Sequence, residues 1–190
     1  MSQENVVRGV RYPVSLPSGR AAQRRSLDER FFIRLPTAYR LGAAAWMRLS
    51  LKSRLRRLAL ARTLGRTLAA NNRRDFAVLF LSTDPDIEYY PAGDQLPLDM
   101  DEVSHGHNGY ERVWRQMIDS FEDFRGEPEE VIDLGDQLLV TTKCTGHGSG
   151  SSVPVDFPLY QLIRLRRGLN IWQKDFSDRS EALEAAARRE

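Results

Sequence analysis

Cysteine, histidine and long apolar runs are scarce in this sequence. Its 190 residues include one cysteine, Cys144, and three histidines. A single cysteine excludes an internal disulfide framework and is typical of a reducing compartment. No secretory signal is visible, and the apolar run Leu41–Met47 is too short to span a bilayer. We therefore expect a cytoplasmic protein without a transmembrane segment.

Positive and negative charges are unevenly distributed along the chain. Residues 1–75 hold 17 Lys and Arg against four Asp and Glu, whereas residues 76–190 hold 11 against 22. A separation this marked predicts two segments that differ in role or that pack against each other.

Helical periodicity begins at Pro36, after an arm without any sustained pattern. A second helix is expected after Ser50 or Ser53, ending near Asn71-Asn72, and a short helix around Phe76 is expected to end at a Thr83-Asp84-Pro85 turn. The second helix is predicted to bury Leu51, Leu55, Leu58, Leu64 and Leu68. It is predicted to turn Arg54, Arg56, Arg57, Arg62 and Arg66 toward water. A further helix carries an apolar stripe from Tyr110 to Phe121, which should face a sheet.

The C-terminal part, Pro128 to Asp178, is rich in Val, Ile, Thr and aromatic residues, as strands are. Turn signals divide it into four extended runs, and a short strand is predicted earlier, at Ile87–Pro91. The four runs are Glu130–Leu134, Gln137–Thr145, Val153–Arg166 and Leu169–Ser177. Their connections are too short to hold a crossover helix, so we predict antiparallel pairing of consecutive strands.

Three passages together resemble the SnoaL-like branch of the nuclear transport factor 2-like superfamily. NNRRDFAVLFLSTDPDIEYYP (71–91) is similar to its opening helix-to-strand passage. HGHNGYERVWRQMIDSFEDF (105–124) is similar to its second helix, and GSGSSVPVDFPLYQLIRLRRGLNIWQKDFSD (148–178) to its long bent hairpin. The likeness covers about two thirds of the chain, from Leu64 to Ala187.

The resemblance implies an α+β fold, in which a curved antiparallel sheet forms a cone-shaped barrel covered by helices. Residues 61–190 would form this domain, and residues 1–60 would be a basic, partly disordered and helical N-terminal extension. Members of the superfamily enclose an apolar pocket, act on or bind small molecules, and often dimerise through the outer face of the sheet. The resemblance thus implies a small apolar or polyketide-like ligand and a homodimer.

Matching the family's landmarks excludes the chemistry of a ketosteroid isomerase. That reaction needs a carboxylate base and an oxyanion hole built from a tyrosine and a protonated aspartate. The corresponding positions fall at Tyr90, near Thr67 and near Tyr160, and none carries the required group. A cofactor-free cyclase, hydrolase or other isomerase would need a different acid/base set.

Candidates for that acid/base set are Asp156 and Asp175 on the sheet and His105 at the mouth of the cone. Asp156 and Tyr160 share one face of a strand, because side chains alternate. If that face lines the pocket, burial would raise the pKa of Asp156 to a useful value. The alternative is a solvated Asp156 at the rim of the sheet, and an Asp175 that only anchors the end of the hairpin.

A flat apolar ligand would be lined by aromatic and histidine side chains. We expect these to be Tyr90, His107, Trp114, Tyr160 and Trp172. The spacing of His105 and His107 matches no zinc pattern, so we predict neither a metal nor a cofactor.

A second class of function stays open on sequence grounds. The Arg-rich N-terminal helices could dock a protein, a membrane surface or a nucleic acid, and the chain would then be a non-catalytic interaction module. No nucleic-acid recognition motif is present, so we do not expect direct nucleic-acid binding.

Overall fold

The computed structural model describes residues 9–17, 24–92, 103–150 and 153–188. The helices within these ranges are α1 (Leu27–Arg34), α2 (Pro36–Met47), α3 (Arg54–Asn72), α4 (Phe76–Leu79), α5 (Gly106–Asp119) and α6 (Arg179–Arg188). The strands are β1 (Val10–Tyr12), β2 (Thr83–Tyr90), β3 (Ser104–His105), β4 (Arg125–Asp133), β5 (Gln137–His147), β6 (Pro154–Arg166) and β7 (Leu169–Phe176). Among these helices, none combines the length and the hydropathy that a bilayer crossing requires.

All seven strands belong to one curved, unclosed sheet in the order β1-β4-β5-β6-β7-β2-β3. The predicted antiparallel pairing of the four C-terminal strands is confirmed. β2 pairs with β7 in the parallel direction, which the sequence did not indicate. Register shifts interrupt β4 near Pro128 and the β6–β7 pair near Arg164, and such irregularities bend a sheet. The predicted α+β cone is thus confirmed as a fold class.

Two element boundaries differ from prediction because proline lies inside a strand. β2 begins at Thr83 and includes Asp84-Pro85, which we had expected to be a turn. β4 begins at Arg125 and includes Pro128. Both prolines lie within or beside a register shift of the ladder, which is where a strand tolerates proline.

Helices cover both faces of the sheet. The stripe of α5 is buried against the inner face from Tyr110 to Ile118, as predicted. α3 packs beside it through Leu60 and Leu64. α6 packs on the opposite, outer face, where Leu183 contacts the cluster formed by Leu139 and Leu162. The inner face is therefore the one that can enclose a cavity.

The predicted burial pattern of α3 is wrong at its first turn. Leu55 and Leu58 are 68% and 66% exposed, whereas Arg56 is 2% exposed. Arg56 donates from Nε and Nη2 to the two carboxylate oxygens of Asp133, at 2.7 and 2.9 Å, and also donates to the Met47 carbonyl. The aliphatic pattern could not indicate this, because the partner lies on a strand far along the chain.

The described part of the N-terminal extension is packed on α3. Ser26 and Glu29 form a capping box at the start of α1. Asp28 forms ion pairs with Arg62 and Arg66, and Glu29 pairs with Arg73. The remaining positions of the predicted mobile arm, 1–8 and 18–23, lie outside the described residues.

Candidate ligand-binding site

A cavity lies between α3, α5 and the inner face of the sheet. Trp46 of α2 and Gly168, at the tip of the β6–β7 hairpin, border it. Its empty volume is about 710 Å³ when the open side is included, but the centre of a water-sized molecule can reach only about 70 Å³. The space is therefore narrow, and it suits a slender or flat molecule better than a bulky one.

Side-chain alternation explains which residues line the cavity. Successive residues of a strand point to opposite faces, so every second residue of β5 and β6 points inward. In β7 an irregularity opposite Arg164 and Leu165 shifts the alternation, so that both Asn170 and Gln173 point inward. The lining residues from these strands and their connecting turn are Leu138, Val140, Gln161, Ile163, Leu165, Gly168, Asn170 and Gln173. The helices contribute mostly apolar side chains together with Thr63, Thr67 and Asn71.

A network of buried polar side chains lies at the β7 side of the cavity. Tyr110 Oη donates to Gln173 Oε1 at 3.2 Å, and Asn170 Nδ2 donates to the same oxygen at 3.0 Å. Gln173 Nε2 in turn donates to Asp175 Oδ1 at 2.9 Å. Tyr89 Oη donates to Asp175 Oδ2 at 2.8 Å, and Gln161 Nε2 approaches Oδ1 at 3.5 Å. Asp175 is thus the acceptor at the centre of this network.

Burial sets the acid–base properties of this network. Asp175 is 4% exposed, and desolvation raises its pKa to about 6, although the donors Gln173, Tyr89 and Gln161 act in the opposite direction. Burial also raises the pKa of Tyr89 well above its usual value, with the Asp175 carboxylate adding to the effect. Desolvation raises the pKa of Cys144 to about 12, so its thiol is not a nucleophile at neutral pH.

Several lining atoms are buried without a hydrogen-bond partner among the described residues. They are the acceptors Asn170 Oδ1 and Asn71 Oδ1 and the donor Trp114 Nε1, which interacts with the Tyr110 hydroxyl without reaching the geometry of a hydrogen bond. A buried polar group without a partner costs about 1–3 kcal/mol. A ligand that satisfies these atoms would recover that free energy, so they indicate the polar pattern of a molecule that fits the cavity.

The structure separates the predicted ligand-lining residues into two groups. Trp114 lines the cavity. Tyr90, Tyr160 and Trp172 do not, because their strand positions point to the outer face. Tyr90 and Trp172 contact each other there, with ring centroids 5.5 Å apart, and Tyr160 packs beside the α6 cluster. Alternation alone could not reveal which face is inner.

The remaining predicted residues lie away from the cavity. Asp156 is 63% exposed and pairs with Lys143 at 3.0 Å on the outer face. Asp156 is thus solvated at the edge of the sheet. His105 is exposed at the start of α5, and the ring of His107 stacks on Phe80 with its Nε2 3.1 Å from the Thr83 carbonyl oxygen.

No three His, Cys, Asp or Glu side chains converge within the described ranges. Asp99, Asp101 and Glu102, which precede His105 in the sequence, lie outside those ranges.

Sequence reasoning missed Gln161, Asn170 and Gln173 because amides carry no recognisable motif. One signal was available: Gln173 and Asp175 are two positions apart on a strand, so an inward Asp175 places Gln173 on the same face.

Comparison with known proteins agrees with this geometry. The family profile described as "SnoaL-like domain" matches residues 64–172. No curated protein matches the chain. Similar solved structures include an NTF2-like protein of unknown function from Burkholderia pseudomallei, with 19% identity over 65% of this chain and 93% of that one and a TM-score of 0.56.

Two further similar structures carry descriptive names. A putative SnoaL-like polyketide cyclase from Jannaschia sp. is 19% identical over 66% of this chain and 89% of its own, with a TM-score of 0.54. IdmH, a putative polyketide cyclase from Streptomyces antibioticus, is 18% identical over 66% and 96%, also with a TM-score of 0.54. At this identity the structures support the fold alone, whereas the profile covers more than half of the sequence. The chain therefore belongs to the SnoaL-like domain family.

Proposed function

We propose that the protein binds a small, largely apolar organic molecule in the cavity beneath α3 and α5. The observation that carries this proposal is the pair of unpartnered amide oxygens, Asn170 Oδ1 and Asn71 Oδ1, together with Trp114 Nε1, which has no well-formed hydrogen bond, in a mostly apolar lining. Such a cavity with a few convergent polar groups is the usual form of a ligand site.

The unpartnered atoms specify the chemistry of the ligand. An indole N–H requires an acceptor such as a ketone or quinone oxygen, and the two amide oxygens require hydroxyl or N–H donors. Together with the narrow cavity, this pattern favours a flat molecule that carries both carbonyl and hydroxyl groups. Hydroxylated aromatic polyketides have this chemistry, and two of the similar structures are described as putative polyketide cyclases.

Calorimetry with 7-hydroxy-1-tetralone, which carries a ketone oxygen and a phenol that is neutral at pH 7, tests the proposal directly. Trp114→Phe keeps an aromatic ring but removes the N–H donor, so affinity should fall about tenfold, the value of one buried hydrogen bond. The matched control is Trp172→Phe, which changes the same side chain on the outer face and should leave affinity unchanged. Equal effects of the two substitutions would contradict binding in the cavity.

The buried carboxyl of Asp175 favours acid/base turnover as a second function. A pKa of about 6 lets Asp175 exchange protons near neutral pH. In the geometry described, Gln161, Gln173 and Tyr89 surround its oxygens, so a bound substrate would have to displace Gln173 to reach the carboxylate. Binding is therefore the better-supported function, and proton transfer is the additional one.

Proton transfer can be tested without knowing the natural substrate. We expect the protein to accelerate exchange of the acidic C1 protons of 2-tetralone for deuterium, followed by NMR, because an ionised Asp175 can remove them. Acceleration should rise with pH through about 6 and disappear in Asp175→Asn. If Asp175→Asn exchanges as fast as the unaltered protein, a base role for Asp175 is excluded, whereas the binding proposal is unaffected.

A further inference from the structure

One face of α2 and the tip of the β6–β7 hairpin form a groove on the outside of the molecule. The helix contributes Thr37, Arg40, Leu41, Ala44 and Arg48, whose spacing of three and four places them on one face. The hairpin contributes Arg166, Arg167 and Leu169, and β2 contributes Asp84. We refer to these nine residues as the arginine groove.

Positive charge in the arginine groove is not neutralised by the described residues. Four guanidinium groups face one carboxylate, and Asp84 pairs with Arg166 at 3.5 Å. The side chains of Arg40, Arg48 and Arg167 form no hydrogen bond or ion pair within the described ranges. Several guanidinium groups that face one space repel each other, and a multiply charged anion between them relieves that repulsion.

The backbone at Arg167 gives independent support. Arg167 and Gly168 are the two residues of the β6–β7 turn, with φ of 54° and 80°. Two positive φ angles are the requirement of a type I′ turn, for which Asn-Gly is strongly preferred. Arginine at the first position costs free energy in its backbone, and such strained positions concentrate at functional sites. This strained turn conformation directs the guanidinium group of Arg167 into the groove.

We propose that the arginine groove binds the phosphate group of a small organic phosphate ester. A phosphate monoester carries a charge of about −2 at neutral pH and matches the unneutralised guanidinium groups better than a carboxylate does. Leu41, 69% exposed, and Leu169 line the same groove and provide apolar surface for the organic part. The site does not depend on ligand binding in the cavity, although Gly168 of the same turn lines that cavity.

The test is calorimetric titration of the full-length protein with phenyl phosphate at low salt. Arg167→Asn gives the turn its preferred residue, so the melting temperature should stay the same or rise while affinity falls about tenfold. Adding Arg40→Gln should weaken binding further. The control Arg54→Gln removes the same charge from the exposed start of α3, outside the groove, and should change affinity less than threefold.

Two comparisons decide between the phosphate site and general charge attraction. Phenyl phosphate should bind at least tenfold more tightly than benzoate, which carries a single charge, and more tightly than inorganic phosphate, which lacks the ring. Absence of phenyl phosphate binding, or equal losses in Arg167→Asn and Arg54→Gln, would overturn the proposal. Equal affinity for benzoate would overturn the assignment to phosphate.

Discussion

Arg56 and Asp133 form an ion pair in which neither side chain is more than 3% exposed. The pair joins α3 to the end of β4, and Arg56 also donates to the carbonyl groups of Met47 and Gly135. Removing one partner of a buried pair leaves the other charge uncompensated in a poorly solvated environment. This contact therefore fixes the position of α3 on the sheet.

We expect Arg56→Met to lower the free energy of unfolding by about 3–5 kcal/mol, because Asp133 loses its partner. Urea denaturation followed by circular dichroism measures the change. Arg54→Met, at an exposed position on the same helix, should stay within about 0.5 kcal/mol of the unaltered protein. A loss at Arg56 no larger than at Arg54 would contradict the structural role of the pair.

Asp175 makes stability depend on pH in an identifiable direction. Its pKa is raised from 3.8 to about 6 in the folded state, so between these values the folded protein binds more protons than the unfolded chain. Stability from this group is therefore lost as pH rises through that interval. By the relation of 1.36 kcal/mol per pKa unit, the loss is at most about 3 kcal/mol.

Comparison with Asp175→Asn isolates this effect. The stability of the unaltered protein relative to the variant should decrease between pH 4 and pH 7, as measured by urea denaturation at each pH. A difference that stays constant over this range would show that the carboxyl titrates at an ordinary pKa. Asp86→Asn, at an exposed position of β2, is a suitable control for substitution of a carboxylate.

At the scale of single residues, the sequence predicted that Trp114 faces the sheet, and it named Asp175 as an acid/base candidate on the sheet. It did not predict Arg56, because burial of a charge depends on a partner distant in the chain. It wrongly assigned Tyr90, Tyr160 and Trp172 to the pocket. Alternation shows which residues of a strand share a face, but it does not show which face of the sheet encloses the cavity.

At the scale of elements, α2 and the tip of the β6–β7 hairpin meet at a very close contact. A Cβ atom added at Gly168 would lie 2.7 Å from Ala43 Cβ and 2.8 Å from its carbonyl oxygen. Only glycine lets the turn approach the helix so closely, and this contact holds α2, which carries Trp46, at the border of the cavity.

Gly168→Ala and Gly135→Ala form a matched pair. Both glycines have positive φ, but an added Cβ at Gly135 meets nothing within 4 Å. Gly135→Ala should cost about 1–2 kcal/mol from backbone strain alone. Gly168→Ala should cost at least about 1 kcal/mol more, because α2 must move away, and the emission of Trp46 should shift to the red. Equal costs in urea denaturation would show that the contact between α2 and the turn contributes little.

The sequence predicted the elements well where periodicity is strong. The stripe of α5 and the antiparallel order of β4 to β7 are confirmed. The parallel pairing of β2 with β7 was not predictable from local pattern, because pairing between distant strands depends on the closure of the whole sheet. Because of the prolines, the sequence predicted a turn at Asp84-Pro85 and a strand that begins only after Pro128. Local propensity could not show that both prolines lie inside strands, because it carries no information about irregularities in the ladder.

At the scale of the whole molecule, the segregation of charge seen in the sequence has a structural counterpart. Some of the N-terminal arginines bind acidic groups of the C-terminal part, as Arg56, Arg74 and Arg11 do with Asp133, Asp119 and Glu130. Others, such as Arg40 and Arg48, line the arginine groove. The division of the chain at residue 60 stays a prediction, and α3 runs continuously through that position.

A homodimer also stays a prediction of the family resemblance. α6 covers the outer face over β5 to β7, so the interface would use the adjacent surface around Tyr90 and Trp172. Light scattering should give about twice the chain mass of 21.7 kDa. Tyr90→Glu should lower the mass by burying a charge at that surface, whereas Leu58→Glu, which adds the same charge at an exposed position of α3, should not. A particle of 21.7 kDa at all concentrations would exclude the dimer.

The parallel contact between β2 and β7 has a consequence for biosynthesis. β2 leaves the ribosome long before β7, and Thr83 cannot pair with Asn170 until the chain has been made through β7. Until then the nascent chain carries an unsatisfied strand edge, which is a site for wrong pairing between chains. Translation that stops before Leu169 would therefore produce fragments prone to aggregate rather than smaller folded versions of the protein.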